Sequence, residues 1–215
     1  MGSLYSRSIG VLYSKGEFIM ALDNDDMFFC HDIFSIVLEF AKDSDFDIVG
    51  FRAFKTYNYK DNISKIEEWY NYYKEFHSCS IVYQPKLSTW LIKKKDSHYI
   101  HDVTIWAKCI KKSIYKEATI KLGSKRYSQF VSWAEDAIIN FIIFNYAKSF
   151  IFINKYGIIH LVNNSTASYS MPDDIKLFGE LFFVDVLYDF SKNNSDKNFA
   201  VMRAYNIRNI LQISL

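Results

Sequence analysis

The chain has 215 residues, half of them hydrophobic and 18% aromatic, with only two prolines and seven glycines. That composition excludes a disordered or collagen-like chain and suffices for one domain with its own core, or one domain plus an appendage. A net charge of +2 gives no global attraction to nucleic acid or to an anionic membrane.

Residues 4–13 read as a short helix with Leu4, Ile9, Val11 and Leu12 apolar, and Lys15-Gly16-Glu17 as a turn with Gly16 as the helix stop. Residues 18–22 form an uncharged apolar run, as expected of a buried strand in a parallel sheet. A helix follows over 32–42, with Ile33, Phe34, Ile36, Val37, Leu38 and Phe40 apolar, and then a strand over 47–54. Strand, helix, strand is a βαβ order and predicts an α/β fold with a partly parallel sheet. A second helix is expected over 64–76, where the aromatic residues are spaced like packing material. The tail Lys108-Cys109-Ile110-Lys111-Lys112 alternates like a half-exposed strand. The clearest helix covers 133–147, with Glu135 and Asp136 in its first turn, where the helix dipole favours acids. Two short strands over 149–153 and 156–162 flank a turn at Asn154-Lys155. Residues 163–168 form a polar loop. Helices over 173–190 and 197–213 end the chain. The apolar stretch 138–153 is interrupted by Asn140, Asn145 and Lys148 and fails as a membrane span.

Charge is unevenly placed. Residues 17–47 hold nine acids against Lys42, a balance of −8. Residues 86–126 hold eleven Lys or Arg against three acids, a balance of +8. The basic stretch suits either a solvated surface or a cover for phosphates or an anionic acceptor. Cys30, Cys79 and Cys109 are odd in number and match no zinc or disulfide spacing, so a reducing, cytoplasmic setting is expected, with a membrane-peripheral one as the alternative.

The chemistry concentrates where the apolar run ends in Asp23, Asp25 and Asp26. At the carboxyl end of a sheet strand, where α/β folds bind ligands, three carboxylates repel one another unless a cation neutralises them. Oxygen-only ligands suit magnesium or manganese, which keep positions open for a phosphate-bearing substrate. An acidic loop or helix cap is the plain alternative.

The order of motifs resembles the family-2 glycosyltransferases of the GT-A fold. Gly2, Arg7, Ser8 and Gly10, then Lys15-Gly16-Glu17-Phe18-Ile19, then Leu22-Asp23-Asn24-Asp25-Asp26 are similar to the family's "G-x-x-x-x-R-N-x-G…K-G-E-Y-I…L-D-x-D-D" block, with Ser8 in place of the usual Asn. Trp106-Ala107-Lys108 with Lys111 and Lys112 is similar to its "W-x-K-x-x-x-R/K" segment. Glu135-Asp136 resembles its "E-D" motif, and residues 156–168 its closing "Y-x-Y-x-x-x-x-x-S-x-S" segment. Met1 to Ser6 also fits the N-myristoylation pattern, but under this resemblance Gly2 belongs to the fold.

The resemblance implies a truncated GT-A (Rossmann-like) mixed sheet over 1–170, flanked by helices, and a C-terminal helical extension over 171–215. The family's two nucleotide-binding strand motifs have no counterpart ahead of Gly2, so the chain is expected to correspond to the C-terminal part of such a domain. The implied activity of a complete domain is hexosyl transfer; this short chain, with half of the donor site missing, is expected to be inactive by itself. The transfer is metal-dependent and inverting, from a nucleotide-sugar, a UDP-sugar by expectation, to a hydroxyl of a glycan, lipid or protein. Asp25 is the implied metal ligand of the Asp-x-Asp motif, with Mn2+ or Mg2+ as the ion. Asp23 reaches the ion or the ribose, and Arg7 the diphosphate or a structural carboxylate. Asp136 is the implied general base and Glu135 its neighbour; Asp26 and His160 are weaker candidates, His160 by approach to the donor phosphates. The alternative is a non-catalytic interaction protein derived from a glycosyltransferase, with an unpaired strand edge as its docking surface. A metal-dependent phosphoesterase would need more ligands than the acidic block supplies.

Overall fold

The computed structural model describes residues 2–43, 45–57, 67–68, 80–83, 92–95, 98–101, 104–162 and 171–190, with 207, 210 and 211. In chain order the elements are helix α1 (Ser3–Tyr13), strands β1 (Phe18–Met20) and β2 (Met27–Phe28), helix α2 (Ile33–Asp43), and strands β3 (Ile48–Thr56), β4 (Glu67–Glu68), β5 (Ser80–Tyr83), β6 (Ile92–Lys95), β7 (His98–His101) and β8 (Lys108–Lys111). Helices α3 (Lys112–Leu122), α4 (Ser124–Tyr127) and α5 (Glu135–Tyr146), strand β9 (Ser149–Leu161) and helix α6 (Asp173–Phe190) complete them. The result is an α/β fold: a mixed sheet in the order β1-β8-β3-β9-β2, with β4 on β3 and β5 on β9, and a separate β6-β7 hairpin.

Alternation along the central strands explains the layers. Ile48 of β3 and Phe150 and Phe152 of β9 join a core built with α1, α3, α5 and α6. Val49, Phe51 and Ala53 of β3, with Ile151, Ile153 and Ile158 of β9, point the other way, onto Ile33, Val37 and Ala41 of α2. Successive strand side chains take opposite faces, so two helical layers follow from one apolar run. Helix α5 is buried at every position from Ala137 to Phe144, as a helix apolar all round must be. Gly157 allows β9 to lie close to α2: a Cβ there would stand 2.6 Å from side-chain atoms of Ile33 and Phe51.

Several expectations are corrected. The strand at 18–22 is shorter than expected. It is half-buried and pairs antiparallel with β8, lying at the end of the sheet order instead of inside a parallel sheet. β3 also pairs antiparallel with β8, so β1 and β3 run the same way with β8 inserted between them. The directly parallel pair is β3 with β9. The two strands expected around Asn154-Lys155 are one strand. Both halves hydrogen-bond to the same β3, and the extra residues are taken up as bulges: Gly50 faces Phe152 while Arg52 faces Tyr156. Helix α1 ends at Ser14, which has an extended conformation and whose N–H donates to Gly10 O. No left-handed Gly16 is used. Glu67 and Glu68, placed in a helix from sequence, pair as a strand with β3. The rest of the expected helix over 64–76, the loop 163–168 and nearly all of the helix expected over 197–213 lie outside the described residues. Gly2 is buried against Val131, where a Cβ would meet the Val131 carbonyl oxygen at 2.6 Å, so it belongs to the fold.

Part of the uneven charge is paired within the chain. Lys111 pairs with Asp45 at 2.5 Å and with Asp47 at 3.3 Å, joining the basic stretch to the acidic one. Arg126 pairs with Asp185 at 2.8 Å and Asp189 at 2.5 Å, holding α4 to α6. Lys108 is buried, against the expectation of a half-exposed strand. Cys30 and Cys109 are free thiols, and burial pushes Cys109 up to about 12. No helix among the described residues is long and apolar enough to cross a membrane.

Candidate active site

Arg7 projects from α1 and gathers three carboxylates from two other segments. Its guanidinium donates to Asp23 at 2.7 Å, to Glu135 at 3.3 Å and to Asp136. Asp23 follows β1, and Glu135 and Asp136 open α5. The left-handed Ala134 (φ 60°) leads into that first turn. Four of the five residues expected at the site, Arg7, Asp23, Glu135 and Asp136, therefore meet at one point. Asp25 lies half-buried in the same turn beyond β1.

The electrostatics follow from the crowding. Burial disfavours charge on Arg7, but Asp136, Asp23 and Glu135 outweigh it and hold the guanidinium above its usual range. Asp136 is raised to about 7. Burial is the largest cause, Glu135 and Asp23 add to it, and Arg7 and the Ile105 N–H, which donates to Asp136 Oδ2 at 3.4 Å, oppose it. The buried Tyr115 phenol beneath Arg7 is likewise pushed up, chiefly by desolvation. The charge that three adjacent acids were expected to need is thus supplied in part by the protein itself.

The acidic block does not act as a unit. Asp26 N–H donates to Asp23 O at 3.1 Å, closing a turn that carries the Asp26 carboxylate to β9. There it accepts the Leu161 N–H at 3.1 Å and lies 2.9 Å from Nδ1 of His160. The Asp26 side chain is 0% exposed. Trp106 stacks on the His160 ring, with centroids 5.1 Å apart and planes 11° from parallel. Burial opposes charge on His160, but the Asp26 hydrogen bond and the charges of Asp26, Asp23 and Asp25 raise it above its ordinary value. The sequence reading named Asp26 and His160 separately. Nothing in a separation of 134 residues marks them as partners.

Among the described residues no group of three or more His, Cys, Asp or Glu is placed to hold a metal by itself. Asp23 and Asp25 do supply hard carboxylate oxygens, and one or two carboxylates suffice for magnesium when a substrate's phosphates complete the shell. The donor chemistry therefore fits an ion shared with a diphosphate and not an all-protein cage.

A cleft of about 400 Å³ opens beside this cluster, lined by Arg7, Gly10, Val11, Tyr115 and residues 18–22. A second, of about 420 Å³, lies along β1 between Phe18, Met20, Phe34, Leu38 and Cys109.

No family model matches the sequence, and no curated protein matches it. Solved structures do. S. aureus TarS 1-349 in complex with UDP-GlcNAc superposes with a TM-score of 0.59 at 10% identity, covering 92% of this chain and 49% of that one. S. aureus TarS 1-349 in complex with UDP gives 0.58 at 12% identity, covering 91% and 48%. S. aureus TarS 1-349 without a named ligand gives 0.51 at 13% identity, covering 90% and 53%. The chain spans about half the length of the TarS chains it matches. It shares the α/β fold of these TarS chains.

Proposed function

We propose that this chain carries the acid–base and metal-binding part of a family-2, GT-A-type glycosyltransferase site that transfers a sugar, with inversion, from a nucleotide-sugar to an acceptor hydroxyl. The observation that carries the reading is the meeting of Arg7, Asp23, Glu135 and Asp136 beside an open cleft. Support comes from a fold shared with TarS, solved in complex with UDP and with UDP-GlcNAc.

Asp136 takes the proton of the acceptor hydroxyl. The freed oxygen lone pair bonds to the anomeric carbon, and the bond from that carbon to the diphosphate oxygen breaks with its electrons. A base titrating near 7 suits this step at neutral pH. Glu135 orients Asp136 or the acceptor. Asp25 and Asp23 would hold Mg2+ or Mn2+, which supplies neutralising charge to a departing diphosphate. Arg7 sits where a diphosphate entering the cleft competes with the three carboxylates for its guanidinium.

Calorimetric titration with UDP, with and without manganese, tests the donor half. Manganese-dependent binding that disappears in Asp25→Ala supports it; binding indifferent to both argues against the metal role. Turnover of UDP-GlcNAc, where measurable, should fall about 10²- to 10⁴-fold in Asp136→Ala with UDP binding retained. Turnover at the wild-type rate removes Asp136 as the base.

One observation favours the interaction reading. Among the described residues β1 pairs only with β8, and clefts flank it on both sides. An apolar strand from a partner would find hydrogen-bonding groups and two troughs there. A chain that is folded by circular dichroism, fails to bind UDP and associates through this edge would support that second reading.

A further inference from the structure

Residues 104–107 lie between the two acidic clusters and touch both. The Ile105 N–H donates to Asp136 at 3.4 Å, and the next side chain, Trp106, stacks on His160, the partner of Asp26. Ile105 and Trp106 are buried. A shift of this short segment would therefore alter the hydrogen bond to Asp136 and the surroundings of His160 together.

The segment is clamped at both ends. At its start the Thr104 carbonyl accepts two hydrogen bonds, from Lys108 Nζ at 2.5 Å and from Asn140 Nδ2 at 2.5 Å, and Lys108 also reaches Thr104 Oγ1 at 3.3 Å. At its end Ala107 has φ 57°, a left-handed conformation unfavourable for a non-glycine residue. Its carbonyl accepts the Phe51 N–H of β3 at 3.0 Å, which holds it there.

The two side chains at Thr104 are unusual choices for their positions. Lys108 is 1% exposed and Asn140 is fully buried in α5, the most apolar of the described helices. The Asn140 Oδ1 meets no hydrogen-bond partner among the described residues. A buried lysine head group and a half-satisfied buried amide both oppose folding relative to apolar side chains of similar volume. Their shared target is one carbonyl at the root of the segment.

We infer that Lys108 and Asn140 are positioning residues: by fixing the Thr104 carbonyl they hold residues 104–107 so that the Ile105 amide meets Asp136 while Trp106 covers His160. Neither side chain is assigned a contact with substrate. The catalytic meaning of the placement rests on the glycosyltransferase reading; the placement itself does not.

The test uses the full chain and does not depend on turnover. Amide hydrogen exchange and imidazole proton shifts are measured in the wild type, in Asn140→Leu and in Lys108→Met. Expected in each variant is exchange at the Ile105 amide faster by about tenfold or more, with protection in α6 at Phe183 and Val186 unchanged. A displaced His160 ring signal should accompany it, because the Trp106 ring current no longer falls on it in the same way. Wild-type exchange at Ile105 and an unmoved His160 signal in both variants would overturn the inference. So would faster exchange spread equally over α6, which assigns the pair to general core stability. Where transfer is measurable, the variants should lower kcat and leave the donor KM unchanged. A wild-type chain without turnover leaves the exchange result interpretable, because the placement is read from the amide and the imidazole and not from transfer.

Discussion

Two acidic clusters stand at this end of the sheet, and they solve the same electrostatic problem in different ways. Asp23, Glu135 and Asp136 share one guanidinium, Arg7, whose side chain is 19% exposed. The Asp26 side chain is fully enclosed and takes an imidazole and a strand N–H, and a tryptophan stacks on that imidazole. An arginine stays charged at every accessible pH, so the first cluster keeps its counter-charge permanently. A histidine does not, so the second can lose its counter-charge as pH rises. The first cluster reaches a cleft through Arg7; the second ties the turn after β1 to β9. The difference separates carboxylates gathered on a cation that lines open space from a carboxylate used to lock the backbone.

The largest expected effect is at the permanent cation. Arg7→Met leaves three carboxylates facing one another without it and should destabilise the fold by about 3–5 kcal/mol, measured by urea unfolding. Adding Asp136→Asn to that variant should restore part of the loss, because one of the repelling charges is gone. Additive effects of the two changes would break the picture of a shared guanidinium.

Asp26→Ala comes next. It strips hydrogen-bond partners from a half-buried imidazole and from the Leu161 N–H, and about 1–3 kcal/mol is expected. The imidazole should titrate lower in this variant, since the carboxylate that raises it is gone; an NMR titration unchanged from the wild type would disconnect the pair.

The pH dependence sharpens the comparison further. Both Asp136 and His160 bind protons more tightly in the folded chain than ordinary groups do. Each therefore contributes stability that is complete below its unfolded value and is lost as pH rises through its folded value. For Asp136 that window runs from its ordinary 3.8 to about 7. For His160 it begins at its ordinary 6.5 and extends above it. Asp136→Asn should flatten the stability profile in the lower window, and His160→Gln in the upper one. If either variant flattens the other's window, the two clusters titrate as one.

The smallest effect provides a baseline. Arg126 bridges α4 and α6 through exposed Asp185 and Asp189, and such surface pairs contribute little. Arg126→Ala should cost about 0–1 kcal/mol. A loss as large as that of Arg7→Met would mean that the carboxylates around Arg7 hold no special place in the fold.

Much of this arrangement was legible in the residues, and the limits are physical. The apolar run into Asp23 and the acids opening α5 depend on local chemistry, a strand end and a helix dipole, whereas Arg7 was marked by the resemblance of the motif order alone. Strand partners were harder, because alternation reports which face is buried and not which neighbour supplies the hydrogen bonds. That is why β1 read as interior and parallel, and why β9 read as two strands broken at Asn154-Lys155.

By itself, then, the sequence determined an α/β chain with a helix-strand-turn unit that ends in acids and a buried helix that begins with them, since periodicity and terminal charge are local properties. Only the tertiary structure decided that Arg7 would be shared by three carboxylates, that Asp26 would leave its neighbours for His160, and that Lys108 and Asn140 would converge on the Thr104 carbonyl. Those pairings join residues far apart in the chain, and they are set by which strands lie side by side and which turns bring side chains into reach.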